Sequence, residues 1–201
     1  MSQKTKIGVL VSGSGTNLQA IIDSNIPSCE ITIVISNKPD AYALNRAEKH
    51  NIPAEVINHK DYDSREAFER QLIKCLDEKG VELIVLAGFM RVLTPFFVKH
   101  YKHRIINIHP ALLPSFPGVN STKQAFDYGV RFTGCTVHFV DDGVDTGPII
   151  LQSVVEITPD DTEDTLLEKI HEQEHIVFPK AVRLFCDGKI SIDGRKVIIS
   201  D

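Results

Sequence analysis

At 201 residues, 42% hydrophobic and 24% charged, the chain can bury roughly 70% of its unfolded surface and needs neither disulfides nor metal to fold. Its net charge of −5, with no Lys/Arg block and no basic aromatic stripe, excludes general nucleic-acid or anionic-membrane binding. Cys29, Cys75, Cys135 and Cys186 form no C-x-x-C pair, so they read as thiols of a reducing compartment. The opening MSQKTK carries no secretory h-region and no 18-residue apolar run follows, which predicts a cytoplasmic protein. Length predicts a single domain over 1–201.

The first element is the apolar run Ile7 to Val11, a strand buried on both faces. It ends in Ser12-Gly13-Ser14-Gly15-Thr16-Asn17, and Leu18, Ala20, Ile21 and Ile22 follow at helical spacing. Strand, Gly/Ser turn and helix start together make an anion site, because free N–H groups and the positive helix end face the ligand. Leu18 stands where a dinucleotide fingerprint needs its third glycine, and no G-K-[ST] follows, so a monophosphate is the expected ligand. A bare tight turn is the alternative. Glu30 to Ser36 and Ala54 to Asn58 read as the second and third strands, with a helix over 41–50 between them. Asp63, three residues before Glu66, predicts a capped amphipathic helix with Phe68, Leu72, Cys75 and Leu76 on one side. Arg65 in its first turn opposes the helix dipole, so it either meets an anion or is solvated. Leu83 to Ala87 is the fourth strand, followed by Gly88-Phe89-Met90-Arg91.

Ile105 to His109 is the fifth strand, broken at Pro110. Alternation puts Asn107 and His109 on one face, an amide and an imidazole suited to a developing oxyanion. Satisfied backbone groups at a strand end are the plainer reading. Phe132 to Val140 and Ile149 to Ile157 are the sixth and seventh strands, and their short link, Asp141 to Gly147, makes them antiparallel. Strands alternating with helices predict an α/β fold: three layers, α/β/α, around a mixed, mostly parallel seven-stranded sheet with a Rossmann-like N-terminal half. Ligands then collect outside the carboxyl ends of the strands. In the helix over 162–185, His171-Glu172-Gln173-Glu174-His175 matches the zinc motif H-E-x-x-H. Helical phase turns Glu172 to solvent and puts Glu174 in the centre of the apolar stripe. No metal is therefore expected, and Glu174 is either functional or ion-paired. Residues 189–200, with Asp193-Gly194 at the turn, read as an appended hairpin.

Taken together, SGSGTNLQA, LAGFMRVL, INIHPALLP with its FPG, GCTVHFVDDGVDTGPIILQ and QEH before the C-terminal FP resemble the folate-dependent phosphoribosylglycinamide formyltransferases of purine synthesis. The resemblance implies a formyltransferase fold and small-molecule substrates: glycinamide ribonucleotide, with 10-formyltetrahydrofolate as co-substrate. It places the catalytic Asn, His and Asp on Asn107, His109 and Asp145. It places the ribonucleotide phosphate on Gly15, Thr16 and Asn17, and the glycinamide end on Glu174. The folate falls on Arg65, on Met90, Arg91, Val92 and Leu93, and on Asn107. Chemically, the amine attacks the formyl carbon, and Asn107 and a protonated His109 stabilise the oxyanion. Asp145 would keep His109 charged and relay the proton through water. The sequence departs from the family at Ala111, where Ser is usual, and at Asn120, where His is common. A non-catalytic phosphate-ligand binder, or a related formyltetrahydrofolate-using enzyme, is the competing expectation.

Overall fold

A computed structural model describes residues 3–200. The chain divides into two compact units that part between Ile106 and Asn107. In chain order, the first holds β1 (Thr5–Val11), α1 (Thr16–Asp23), β2 (Cys29–Ser36), α2 (Tyr42–Lys49), β3 (Ala54–Val56), α3 (Arg65–Glu78), β4 (Leu83–Leu86) and α4 (Pro95–His100). β5 (Ile105–His109) crosses the division. Beyond it come α5 (Ser121–Tyr128), β6 (Phe132–Phe139), β7 (Ile149–Glu156), α6 (Glu163–Cys186), β8 (Ile190–Asp193) and β9 (Lys196–Ile199).

In the first unit the order is β3-β2-β1-β4 and every neighbouring pair is parallel. Ile7 to Val11 are all buried, so both faces of this sheet are covered, as parallel β-α-β winding requires. Gly8 sets one of those packings. A Cβ there would lie 2.6 Å from Leu76 Cδ2, so any larger residue would make the Leu76 side chain shift. Phe68, Leu72 and Leu76 of α3 are buried, each stabilising by about 1.5–3 kcal/mol. The cap of α3 is one residue later than expected: Ser64 Oγ, not Asp63, accepts from Ala67 N at 3.1 Å.

The second unit is antiparallel where the link is short. β6 and β7 pair antiparallel from Phe132↔Glu156 to His138↔Ile149. β6 is buried from Thr133 onward, whereas β7 alternates toward solvent through Gln152 and Val154. The expectation of seven strands is corrected here, since the described residues form nine. The C-terminal hairpin was left outside that count, yet β9 pairs with β7 through Ile149↔Lys196 and with β8 antiparallel. The short helices α4 and α5 had no apolar periodicity and were not anticipated. α6 starts at a reciprocal Thr162–Thr165 capping box and buries Leu166, Ile170, Glu174, Val177, Phe178, Ala181 and Val182.

Candidate active site

The second unit gathers Asn107, His109, His138 and Asp145 into one polar cluster. β5 supplies the first two residues and β6 the third; Asp145 comes from the link to β7. His109 is 4% exposed and His138 2%. His109 Nε2 lies 2.8 Å from the Phe116 carbonyl oxygen. That oxygen only accepts, so Nε2 carries the hydrogen and Nδ1 faces Asp145 Oδ2 at 3.4 Å. The same logic fixes His138. Its Nδ1 donates to the Phe139 carbonyl at 2.8 Å, which leaves Nε2 to accept from Asn107 Nδ2 at 3.2 Å. His138 Nε2 also stands 3.6 Å from Asp145 Oδ1. Both Asn107 and His109 therefore meet the Asp145–His138 pair.

Two non-glycine residues of this cluster, Phe116 and Asp145, sit at positive φ, 54° and 55°. Such backbone costs about 1–3 kcal/mol each and persists only where surroundings over-determine it. Here the surroundings are identifiable. Asp145 Oδ2 accepts from Gly118 N at 2.7 Å, tying the Pro-rich turn to the Asp loop. Asp141 Oδ1 accepts from Gly143 N and from Thr146 Oγ1, and Arg195 donates to the Thr146 carbonyl. The turn after β5 is braced by Thr136, whose hydroxyl donates to Ala111 O at 2.7 Å and accepts from Leu113 N at 3.0 Å. That brace uses the main chain of Ala111, so the departure from Ser leaves it intact.

Electrostatics correct one expectation. Burial pulls the His109 pKa down, and this outweighs the raising effects of Asp145 and of the bond to Phe116; His138 lowers it further. The net direction is below the ordinary value, so the buried ring of the ligand-free protein favours its neutral form, not the imidazolium. Asp145 moves down as well: burial is its largest single influence and raises it, but His138, the Gly118 N–H and His109 together outweigh it. Asp145 is thus ionised at neutral pH.

In the first unit the SGSGTN turn leaves β1 and runs into α1. Gly15 is left-handed at φ 72° and stands at the N-cap of α1 without a side-chain hydrogen bond, so Thr16 and Asn17 form the first turn of the helix directly after the glycine. Arg46 Nε fixes the turn by donating to the Ser14 carbonyl at 2.8 Å. Ser12 ties the turn to two neighbours: its hydroxyl donates to Asn37 Oδ1 at 2.6 Å and accepts from Met90 N at 2.8 Å. A Cβ on Gly15 would stand 2.6 Å from Ala43 Cβ and 2.8 Å from Ala43 Cα. Gly15→Ala should therefore destabilise by about 2 kcal/mol, a fall of about 4–8 °C in Tm on thermal unfolding. A Tm within a degree of wild type would mean that α2 yields freely.

Met90 and Val92 are 69% and 57% exposed, Arg91 and Leu93 half-buried, and Arg65 exposed at the start of α3. Glu174 is 3% exposed, deep under the second-unit sheet. Burial, and then the Glu174 charge, push the neighbouring Cys135 thiol up to about 12. Glu172 is exposed, as phase predicts, and the rings of His171 and His175 stack with centroids 6.3 Å apart. Among the described residues no three or more His, Cys, Asp or Glu gather as a metal site. No helix among them is long and apolar enough to cross a membrane. Sequence reasoning missed His138 and Thr136; their signal was two polar residues at i and i+2 on a mostly apolar strand that also carries Thr133.

A glycine-led helix start in the first unit and a histidine–carboxylate–amide cluster in the second each suit a group-transfer enzyme of α/β class. The chain belongs to the formyl transferase family, whose model matches residues 5–182. It is 43% identical to the phosphoribosylglycinamide formyltransferase of Escherichia coli (strain K12) over 92% of this chain and 89% of that protein. A crystal structure of glycinamide ribonucleotide transformylase 1 from Symbiobacterium toebii superposes with a TM-score of 0.97 at 45% identity, covering 100% of this chain and 96% of that one. The trifunctional purine biosynthetic protein adenosine-3 of Chironomus tentans is 50% identical over 96% of this chain, and the chain spans 14% of that protein's length.

Proposed function

We propose that the chain transfers the formyl group of 10-formyltetrahydrofolate to the primary amine of glycinamide ribonucleotide, in cytoplasmic purine synthesis. The observation that carries this reading is the buried His109 with its Nδ1 3.4 Å from Asp145 Oδ2, beside an Asn107 held by His138. The neutral amine attacks the formyl carbon, and negative charge develops on the formyl oxygen. Asn107 spends one amide hydrogen on His138 and keeps the other for that oxyanion. Asp145 takes the proton shed by the attacking nitrogen, through water. His109 Nδ1, 3.4 Å away, stores that proton; the resulting imidazolium adds positive charge at the moment the oxyanion forms. The proton then returns to the leaving folate nitrogen. The scheme uses no metal.

Binding roles follow the same reading. The positive end of α1 at Thr16 and Asn17, with Gly15 allowing the tight approach, takes the ribonucleotide phosphate. Glu174 takes the glycinamide end. Arg65, Met90, Arg91, Val92 and Leu93 contact the folate, as does Asn107. Glu174→Gln keeps the shape and removes the charge. Ribonucleotide affinity should then fall by about 1.5–3 kcal/mol, the scale of a hydrogen bond to a charged group. Titration of the variant with ribonucleotide measures it, and unchanged affinity with lowered stability would make Glu174 purely structural. The reaction itself is tested by folate absorbance: loss of 10-formyltetrahydrofolate should require the ribonucleotide. Consumption at the same rate without it would indicate a hydrolase, and no consumption a binder.

A further inference from the structure

α3 carries a second buried acid that the proposed chemistry does not use. Glu69 is 1% exposed, one helical turn after Arg65 and so on the same side of α3. Its carboxyl oxygens both turn to one residue of another segment. Oε1 accepts from Thr94 N at 2.7 Å, and Oε2 accepts from the Thr94 hydroxyl. Thr94 is the N-cap of α4 and makes no side-chain cap bond to that helix; its hydroxyl hydrogen goes to Glu69. An acid is rarely buried so completely without a task.

The task is visible in what lies between two pins. The segment from Gly88 to Thr94 begins at a left-handed glycine, φ 75°, and Met90 N is held near that start by the Ser12 hydroxyl. Glu69 holds the far end at Thr94. Along this segment Phe89 is buried at 8% exposure while Met90 and Val92 stand largely exposed. A short segment fixed at both ends presents its apolar side chains in one shape rather than many, which lowers the ordering cost of binding. The geometry points to Glu69 as a positioning residue for the co-substrate: by gripping Thr94 it sets the Met90–Leu93 segment in the form that receives the folate. This inference rests on the proposed assignment of that segment to the folate.

Steady-state kinetics on four variants test it, with thermal unfolding of each. Glu69→Ala removes both bonds and should raise the KM for 10-formyltetrahydrofolate about 10-fold; Thr94→Val removes only the hydroxyl bond and should raise it about 3-fold. The ribonucleotide KM should stay within about 2-fold in both, since neither bond touches the SGSGTN turn. Glu69→Gln keeps the shape and an acceptor for Thr94 N and should return most of the loss. Met90→Ala reports on the folate assignment by itself. A raised folate KM in Met90→Ala, with none in Glu69→Ala or Thr94→Val despite lowered Tm, overturns the inference and spares the assignment. An unchanged folate KM in all of them removes both. If Glu69→Ala does not fold, Thr94→Val carries the decision.

Discussion

Asp145→Asn should lower kcat by about 10²–10⁴-fold, the range for removing a positioned proton acceptor, with far smaller changes in either KM. An asparagine oxygen can still accept from the Gly118 N–H, so the loop has reason to keep its place. The lost item is the charge. Without it the amine's proton has no first acceptor, and His109 loses its main raising influence, so the His109 pKa should drop further. Histidine NMR titration checks that second effect directly; a raised or unmoved His109 in the variant would contradict the electrostatic account. The sign of the pH dependence follows from the same two groups. Both folded-state values lie below their ordinary 6.5 and 3.8. The stability contributed by each is therefore complete above the ordinary value and lost as pH falls through the folded one. For His109 that loss begins below pH 6.5, before Asp145 contributes its own below 3.8. Since His109 must start neutral to store a proton, kcat/KM should decline over the same His109 window.

Asn107→Ala should lower kcat by about 10²–10³-fold, the scale for one oxyanion donor, while the folate KM moves only a few-fold. The amide is not free to wander, because His138 Nε2 accepts one of its hydrogens at 3.2 Å and His138 itself is anchored on the Phe139 carbonyl. That anchoring means the second hydrogen is aimed before substrate arrives, which is where such donors gain their effect. If the substitution raised the folate KM and left kcat alone, Asn107 would be a binding contact and not a donor to the transition state.

How far the sequence foretold this depended on range. The buried run of β1, the Gly/Ser turn into α1 and the helical phase that buries Glu174 were legible because each is set within a dozen residues. So was the pairing of Asn107 with His109 on one strand face. His138 was not, since an imidazole on an apolar strand acquires meaning only from partners 31 residues back and seven ahead. The Phe116 carbonyl is invisible to any reading of side chains. β9 was set aside as an appendage because its pairing with β7 is non-local, and α4 and α5 were too short to show a period. The family resemblance implied a carboxylate beside His109, but nothing in the sequence displayed the burial around it. That is why a charged resting histidine was expected where burial favours a neutral one.

The most direct test of the central claim is to supply 10-formyltetrahydrofolate labelled with ¹³C in the formyl group, add glycinamide ribonucleotide, and follow the label by NMR with the wild-type protein and Asp145→Asn. The account predicts that the wild type moves the label into a new amide on the ribonucleotide, and that Asp145→Asn does so about 10²–10⁴-fold more slowly. Label appearing as free formate, or in the ribonucleotide at equal rates with both proteins, would contradict it.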